Sequence, residues 1–137
     1  MDRFMPRAML AFVVIALAAC TSDGAGELPP ARSFFVFFGA DGAELRPEAN
    51  EVIDRIAGET RRGDASGVRI IGHASPAGAP AHNLRLSDEC AAAVEAALLL
   101  RGVRRELIVR TAQGATPVIG PEIEGQRVDV VIVREKR

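Results

Sequence analysis

The chain has 137 residues, with 17 Lys and Arg against 18 Asp and Glu, a formal net charge of −1, and neither Trp nor Tyr. Balanced, interspersed charge with no basic run and no Trp or Tyr to stack bases argues against nucleic acid as a partner. Two cysteines cannot build a disulfide scaffold, so the fold has to rest on one hydrophobic core.

Residues 1–19, MDRFMPRAMLAFVVIALAA, join a short basic start at Arg3 and Arg7 to an uncharged apolar run, Ala8 to Ala19. That run has the length of a signal-peptide core and is short for a permanent membrane span. It closes on Leu17-Ala18-Ala19-Cys20, which resembles the bacterial lipobox. The alternatives are an ordinary secretory signal cleaved nearby and an uncleaved anchor. The resemblance implies that residues 1–19 are a lipoprotein signal peptide and that Cys20 becomes the acylated first residue. Its acyl chains would hold the protein on a membrane at about 0.8 kcal/mol per buried methylene. In the sorting pattern this resembles, Thr21 after the cysteine implies release to the outer membrane. Residues 20–32 then form the lipidated cysteine and a small, polar, proline-bearing tether that reaches at most about 40 Å when extended.

The folded part is expected over residues 33–134. Ser33 to Phe38, SFFVFF, is an uninterrupted aromatic and β-branched run that predicts a strand buried on both faces, with Phe34, Phe35, Phe37 and Phe38 in the core. Gly39-Ala40-Asp41-Gly42 has turn chemistry. Pro47 suits the first position of a helix, and Ala49, Val52, Ile53, Ile56 and Ala57 lie on one helical stripe that Gly63 can terminate. Val68 to Ile71 predicts a short second strand. A second helix is expected from about Ala81 to Arg101, with Leu86, Ala91, Val94, Ala97 and Leu98 opposite an arc of Arg85, Asp88, Glu89 and Glu95. Leu107 to Thr111 and Arg127 to Val133 complete the strands. Helical crossovers between strands require parallel or mixed pairing, so the fold class is α/β (α+β), a two-layer sandwich in the order β-α-β-α-β-β.

Between the second strand and second helix runs GHASPAGAPAHN, a Gly- and Pro-rich loop without a charged residue before Arg85. His73 and His82 have no third ligand at suitable spacing for a metal. Ser75 lacks the glycine-flanked elbow and ordered acidic partner of a hydrolase. No catalytic residue, cofactor or metal is therefore expected. Cys90 reads as a small apolar residue of the helix's buried arc, with a redox-sensitive thiol as the alternative. Asp41 suits a turn cap as well as a ligand contact, and Arg127 suits a strand-end ion pair equally.

Taken together, these pieces resemble the OmpA-like C-terminal domain family of outer-membrane porin tails, peptidoglycan-associated lipoproteins and flagellar stators. The matching stretches are Phe38-Gly39-Ala40-Asp41-Gly42-Ala43-Glu44-Leu45-Arg46-Pro47, Ile71-Gly72-His73, then Gly78 with Asn83, Leu86-Ser87 and Ala91, and Gln126-Arg127-Val128-Asp129-Val130. The resemblance implies non-covalent binding of peptidoglycan through the diaminopimelate of its stem peptide, held by an Asp after the second strand and an Arg of the second helix. Those two positions are Ser75 and Cys90 here. A thiol supplies neither a guanidinium's charge nor its fork of donors, and a neutral hydrogen bond from Ser75 contributes only about 0.5–1.5 kcal/mol net. The implied ligand-binding positions are Asp41, Ser75, Asn83, Cys90 and Arg127. The expected function is an outer-membrane-anchored lipoprotein whose periplasmic domain associates with peptidoglycan. The alternative is an interaction module that has left wall binding for a protein partner in an envelope assembly.

Overall fold

The computed structural model describes residues 31–39, 42–76, 78–116 and 126–135. The elements are β1 (Ala31–Phe37), α1 (Pro47–Thr60), β2 (Ala65–Ala74), α2 (Pro80–Leu100), a 3-10 turn over Arg105–Leu107, β3 (Ile108–Ala115) and β4 (Arg127–Arg134). This is the expected order. The four strands form one sheet, β1-β4-β2-β3. β4 is antiparallel to both β1 and β2, while β2 and β3 are parallel neighbours joined by the α2 crossover. Signal peptide, lipidation cysteine and nearly all of the tether lie outside the described residues, as does Asp41. None of the described helices is long and apolar enough to cross a membrane.

Pro47 opens α1 with the fixed φ that a first helical turn requires, and Gly63, at φ +90°, supplies the left-handed turn that follows it. The helix buries Ala49, Ile53, Ile56 and Ala57. The face of α2 that points inward carries Asn83, Ser87, Cys90, Ala91, Val94, Ala97 and Leu98, which recur at three- and four-residue steps. Both helices cover one face of the sheet, meeting Val36, Val68, Ile70, Val128, Val130 and Ile132. All six of those side chains are fully buried, and each contributes about 1.5–3 kcal/mol through removal from water.

The aromatic run at β1 departs from expectation. Phe34 and Phe38 reach the core, but Phe35 is 51% exposed and Phe37 52%. The reason is position. β1 is an edge strand, and among the described residues the helices cover one face of the sheet only, so alternate side chains face away from them. The strand also begins at Ala31, two residues inside the expected tether, because Ala31 and Arg32 pair with Val133 and Ile132. β2 extends from Ala65 to Ala74 and β3 to Ala115, both longer than their apolar cores alone suggest.

Arg32 belongs to an ionic cluster at the end of the sheet where β1 and β2 begin. Glu59 accepts from Arg32 and from Arg134, 2.9 Å away, while Arg134 also meets Asp64 at 3.0 Å. Hydrogen bonds from Arg32 and then Arg134 hold the Glu59 carboxyl below its ordinary 4.5. A carboxylate depressed on folding contributes stability above its unfolded value and loses it as pH falls through the folded one. The thermal midpoint is therefore expected to fall as pH drops below 4.5, and Glu59→Gln to flatten that fall while lowering the midpoint near neutrality. Melting curves across that acid range check both statements.

Candidate functional site

At the opposite end of the sheet, β2, the loop after it, the start of α2 and the end of β3 are drawn together by one close approach. A Cβ on Gly72 would lie 1.9 Å from the Ser87 carbonyl oxygen and 3.2 Å from the Ala91 Cβ. No other residue lets α2 sit that near β2. Ser87 then ties the helix to β3. Its Oγ donates to the Leu84 carbonyl at 2.8 Å and accepts from the Gly114 amide at 2.9 Å. Gly114 makes that bond from φ +67°, a left-handed conformation. The sequence reading placed Ser87 only as part of a matching motif. The available signal was a small hydroxyl residue inside the apolar arc of α2.

One turn before Ser87, Asn83 is only 3% exposed, and its Nδ2 has no hydrogen-bond partner among the described residues. Its Oδ1 lies under the loop, 3.7 Å from where a Cβ on Gly78 would stand. The N-terminus of α2 is bare as well. Ala79 offers no side-chain cap, and the first turn carries no acidic residue. The positive end of the helix macrodipole therefore lies within about one turn of a buried amide donor that has no partner among the described residues, beside a loop containing the half-buried Ser75. Such an arrangement suits an anionic or carbonyl oxygen of a ligand.

Cys90 lies two turns along α2 from Asn83, on the same inward face, and is completely buried. Burial first, and the Glu89 charge second, push its thiol up to about 11. This matches the reading of Cys90 as a core residue; no part of it is open to a ligand.

Arg127 lies on the other side of the sheet. Its neighbour Val128 is fully buried against the helices, so alternation turns Arg127 and Asp129 to the uncovered face. There Arg127 Nε donates to Asp129 Oδ1 at 3.1 Å. Asp129 Oδ2 stands 3.0 Å from Nε2 of His73, whose Nδ1 shares a hydrogen bond with Thr116 Oγ1 at 2.7 Å. The thickness of the sheet separates this cluster from Asn83 and Cys90. In the sequence Asp129 stands out only within a matching stretch, and Thr116 in none. The i, i+2 spacing of Arg127 and Asp129 on a strand was the signal for the first, whereas nothing local pointed to Thr116. Gln126 is buried at 4% exposure; its carbonyl accepts from the Phe38 amide at 2.8 Å. His82 stands exposed beside Arg85, 3.3 Å from its guanidinium. Among the described residues no three His, Cys, Asp or Glu side chains gather as a metal site.

A mixed four-stranded sheet covered by two helices, with Gly72 admitting the close approach of α2, defines a two-layer α/β domain. Residues 37–127 match the family model described as OmpA family, and the chain belongs to that family. It is 29% identical over 107 residues to outer membrane protein A of Bordetella avium, which covers 74% of this chain and 55% of that protein. The chain thus spans about half the length of that relative. Its fold is shared with the OmpA-like domain of FopA1 from Francisella tularensis at a TM-score of 0.67 and 21% identity, covering 77% of each chain. The peptidoglycan-associated lipoprotein of Burkholderia pseudomallei superposes with a TM-score of 0.65 at 24% identity, over 72% of this chain and 88% of that one.

Proposed function

We propose that this protein is a lipid-anchored outer-membrane protein whose OmpA-like domain faces the periplasm and associates non-covalently with peptidoglycan, without catalysing a reaction. The observation that carries this reading is the buried Nδ2 of Asn83, without a partner among the described residues, near the start of α2, which has no side-chain cap. An orphaned donor of that kind costs about 1–3 kcal/mol unless something accepts from it, and a stem-peptide carboxylate or carbonyl is the acceptor that the family membership supports. Cys20 would carry the lipid in this reading, and the ligand would meet Asn83, Ser75 and Asp41. Arg127, which the family resemblance also implies, donates to Asp129 and as a ligand position would have to share that pair. No cofactor is required.

One observation favours the second reading, an envelope interaction module that has given up wall binding. Cys90 and Ser75 occupy the positions where the family resemblance places a guanidinium and a carboxylate, and Cys90 is sealed in the core. Co-sedimentation of residues 21–137 with purified peptidoglycan separates the two. Saturable pelleting that Asn83→Ala weakens by more than about tenfold, since a lost hydrogen bond to a charged group costs about 1.5–3 kcal/mol, supports wall binding. No pelleting of the folded wild-type domain removes that reading and directs the search to an envelope protein.

A further inference from the structure

Among the described residues the outer edge of β1 has no strand partner, and with the groove beside it forms a surface that neither reading uses. β1 and β4 pair in register from Ala31↔Val133 to Phe37↔Arg127. The Phe38 amide, next in that register, donates to the Gln126 carbonyl. In an antiparallel ladder such bonded pairs alternate, so the even-numbered residues of β1 bond to β4. The backbone groups of Ser33, Phe35 and Phe37 therefore point outward, to the free edge. Natural sheets guard such edges with charge, proline or a bulge. The other edge strand follows that rule, with Arg110 of β3 paired to Asp88 and Glu95. Residues 33–37 of β1, SFFVF, carry no charge and no proline, and their pairing with β4 shows no bulge.

We infer that this edge is a homodimer interface, in which β1 of one chain pairs antiparallel with β1 of a second copy about a two-fold axis through Phe35. Three features select a second copy over other occupants. The outward backbone groups at 33, 35 and 37 are self-complementary about residue 35, so Ser33 pairs with Phe37 of the copy and Phe35 with itself. Phe35 and Phe37, half exposed on the uncovered face, gain aromatic neighbours across the seam. The third feature is charge. A groove of about 300 Å³ runs between β1 and α1, lined on the helix side by Arg46, Glu48, Ala49 and Val52. Glu48, Val52 and Arg55 share that side of α1 at helical spacing, with the acidic residue in the first turn and the basic one two turns further on. The two-fold axis sets the two α1 helices antiparallel. Glu48 of one then lies toward Arg55 of the other, and their macrodipoles oppose.

Disulfide trapping in the full-length chain, solubilised in detergent, tests the register. Cys20→Ser is included so that Cys20 cannot link. In this background Phe35→Cys is expected to give a covalent dimer on mild oxidation, because directly opposed residues stand about 5.5 Å apart, within disulfide reach. Ser33→Cys alone and Phe37→Cys alone should not link. Each stands four residues, about 13 Å, from its own copy, whereas a mixture of the two variants should link. Linkage at none of these positions, or equal linkage of all three single variants, overturns the two-fold pairing. Sedimentation gives the independent reading. Wild type should be dimeric and Phe35→Lys monomeric, with its thermal midpoint retained to show that the monomer is folded. A wild-type chain that sediments as a monomer throughout overturns the proposal, whatever its affinity for peptidoglycan.

Discussion

Replacing Gly72 by alanine is expected to lower the thermal midpoint by more than about 10 °C, the largest effect of any single methyl group added to this domain. The methyl would stand 1.9 Å from the Ser87 carbonyl oxygen and 2.8 Å from its carbon, both backbone atoms. A flexible side chain could swing aside, but a helix backbone can only retreat as a body. Retreat of α2 by the missing ångström or more loosens the Gly114 amide from Ser87 Oγ and opens the packing of Ala91 and Val94 on β2. Overpacking in a closed core costs about 1–3 kcal/mol and occasionally more, and in a domain of this size each kilocalorie lowers the midpoint by about 4–8 °C. Gly58 provides the contrast. It sits within α1, and a Cβ there meets nothing within 4 Å, so Gly58→Ala should raise stability by about 0.5–1 kcal/mol through helix propensity alone. Melting the two variants beside wild type checks both signs. A Gly72→Ala chain that melts with the wild type would mean that α2 does not approach β2 as closely as described.

The same contact shows how far the sequence could be read. The Gly-Pro loop, the apolar arc of α2 and the proline start of α1 are local signals, so element order and layer arrangement followed from them. What local pattern could not supply was strand order. Four phenylalanines in five residues look like a strand buried on both faces. Placement of β1 at an edge, beyond β4, was decided by pairing with residues 127–133 almost a hundred positions away. Once that pairing is set, alternation divides the run into core and surface and leaves Phe35 and Phe37 half in water. Arg127 was ambiguous for a related reason. Its role depended on which face of β4 it occupies, and that depends on which neighbours α2 buries. Asn83 and Cys90 were legible as sharing a face because both lie on one helix, seven residues apart. Their depth was not legible. One is a buried donor with an empty partner position, and the other is sealed among aliphatic side chains.

That depth makes Cys90 the residue whose chemistry should differ most between folded and unfolded chain. A thiol held at about 11 is roughly one part in a thousand thiolate near pH 8, against about one part in ten for an unperturbed cysteine. Even before steric exclusion, native Cys90 should therefore react with an aqueous thiol reagent about a hundredfold more slowly than the same residue in denaturant. Because folding raises this pKa, the stabilising contribution is complete below the unfolded value of 9.0 and is lost as pH rises toward about 11. The midpoint should accordingly decline in that alkaline range and do so less in Cys90→Ala. Exchange for a guanidinium is far more severe. Cys90→Arg would set a charge where no exposure exists, among Ala91, Val94 and Leu98, and an unpaired buried charge typically costs about 3–5 kcal/mol. Rapid modification of native Cys90 would show that the inward face of α2 reaches solvent, and the ligand cradle would then extend from Asn83 down to Cys90.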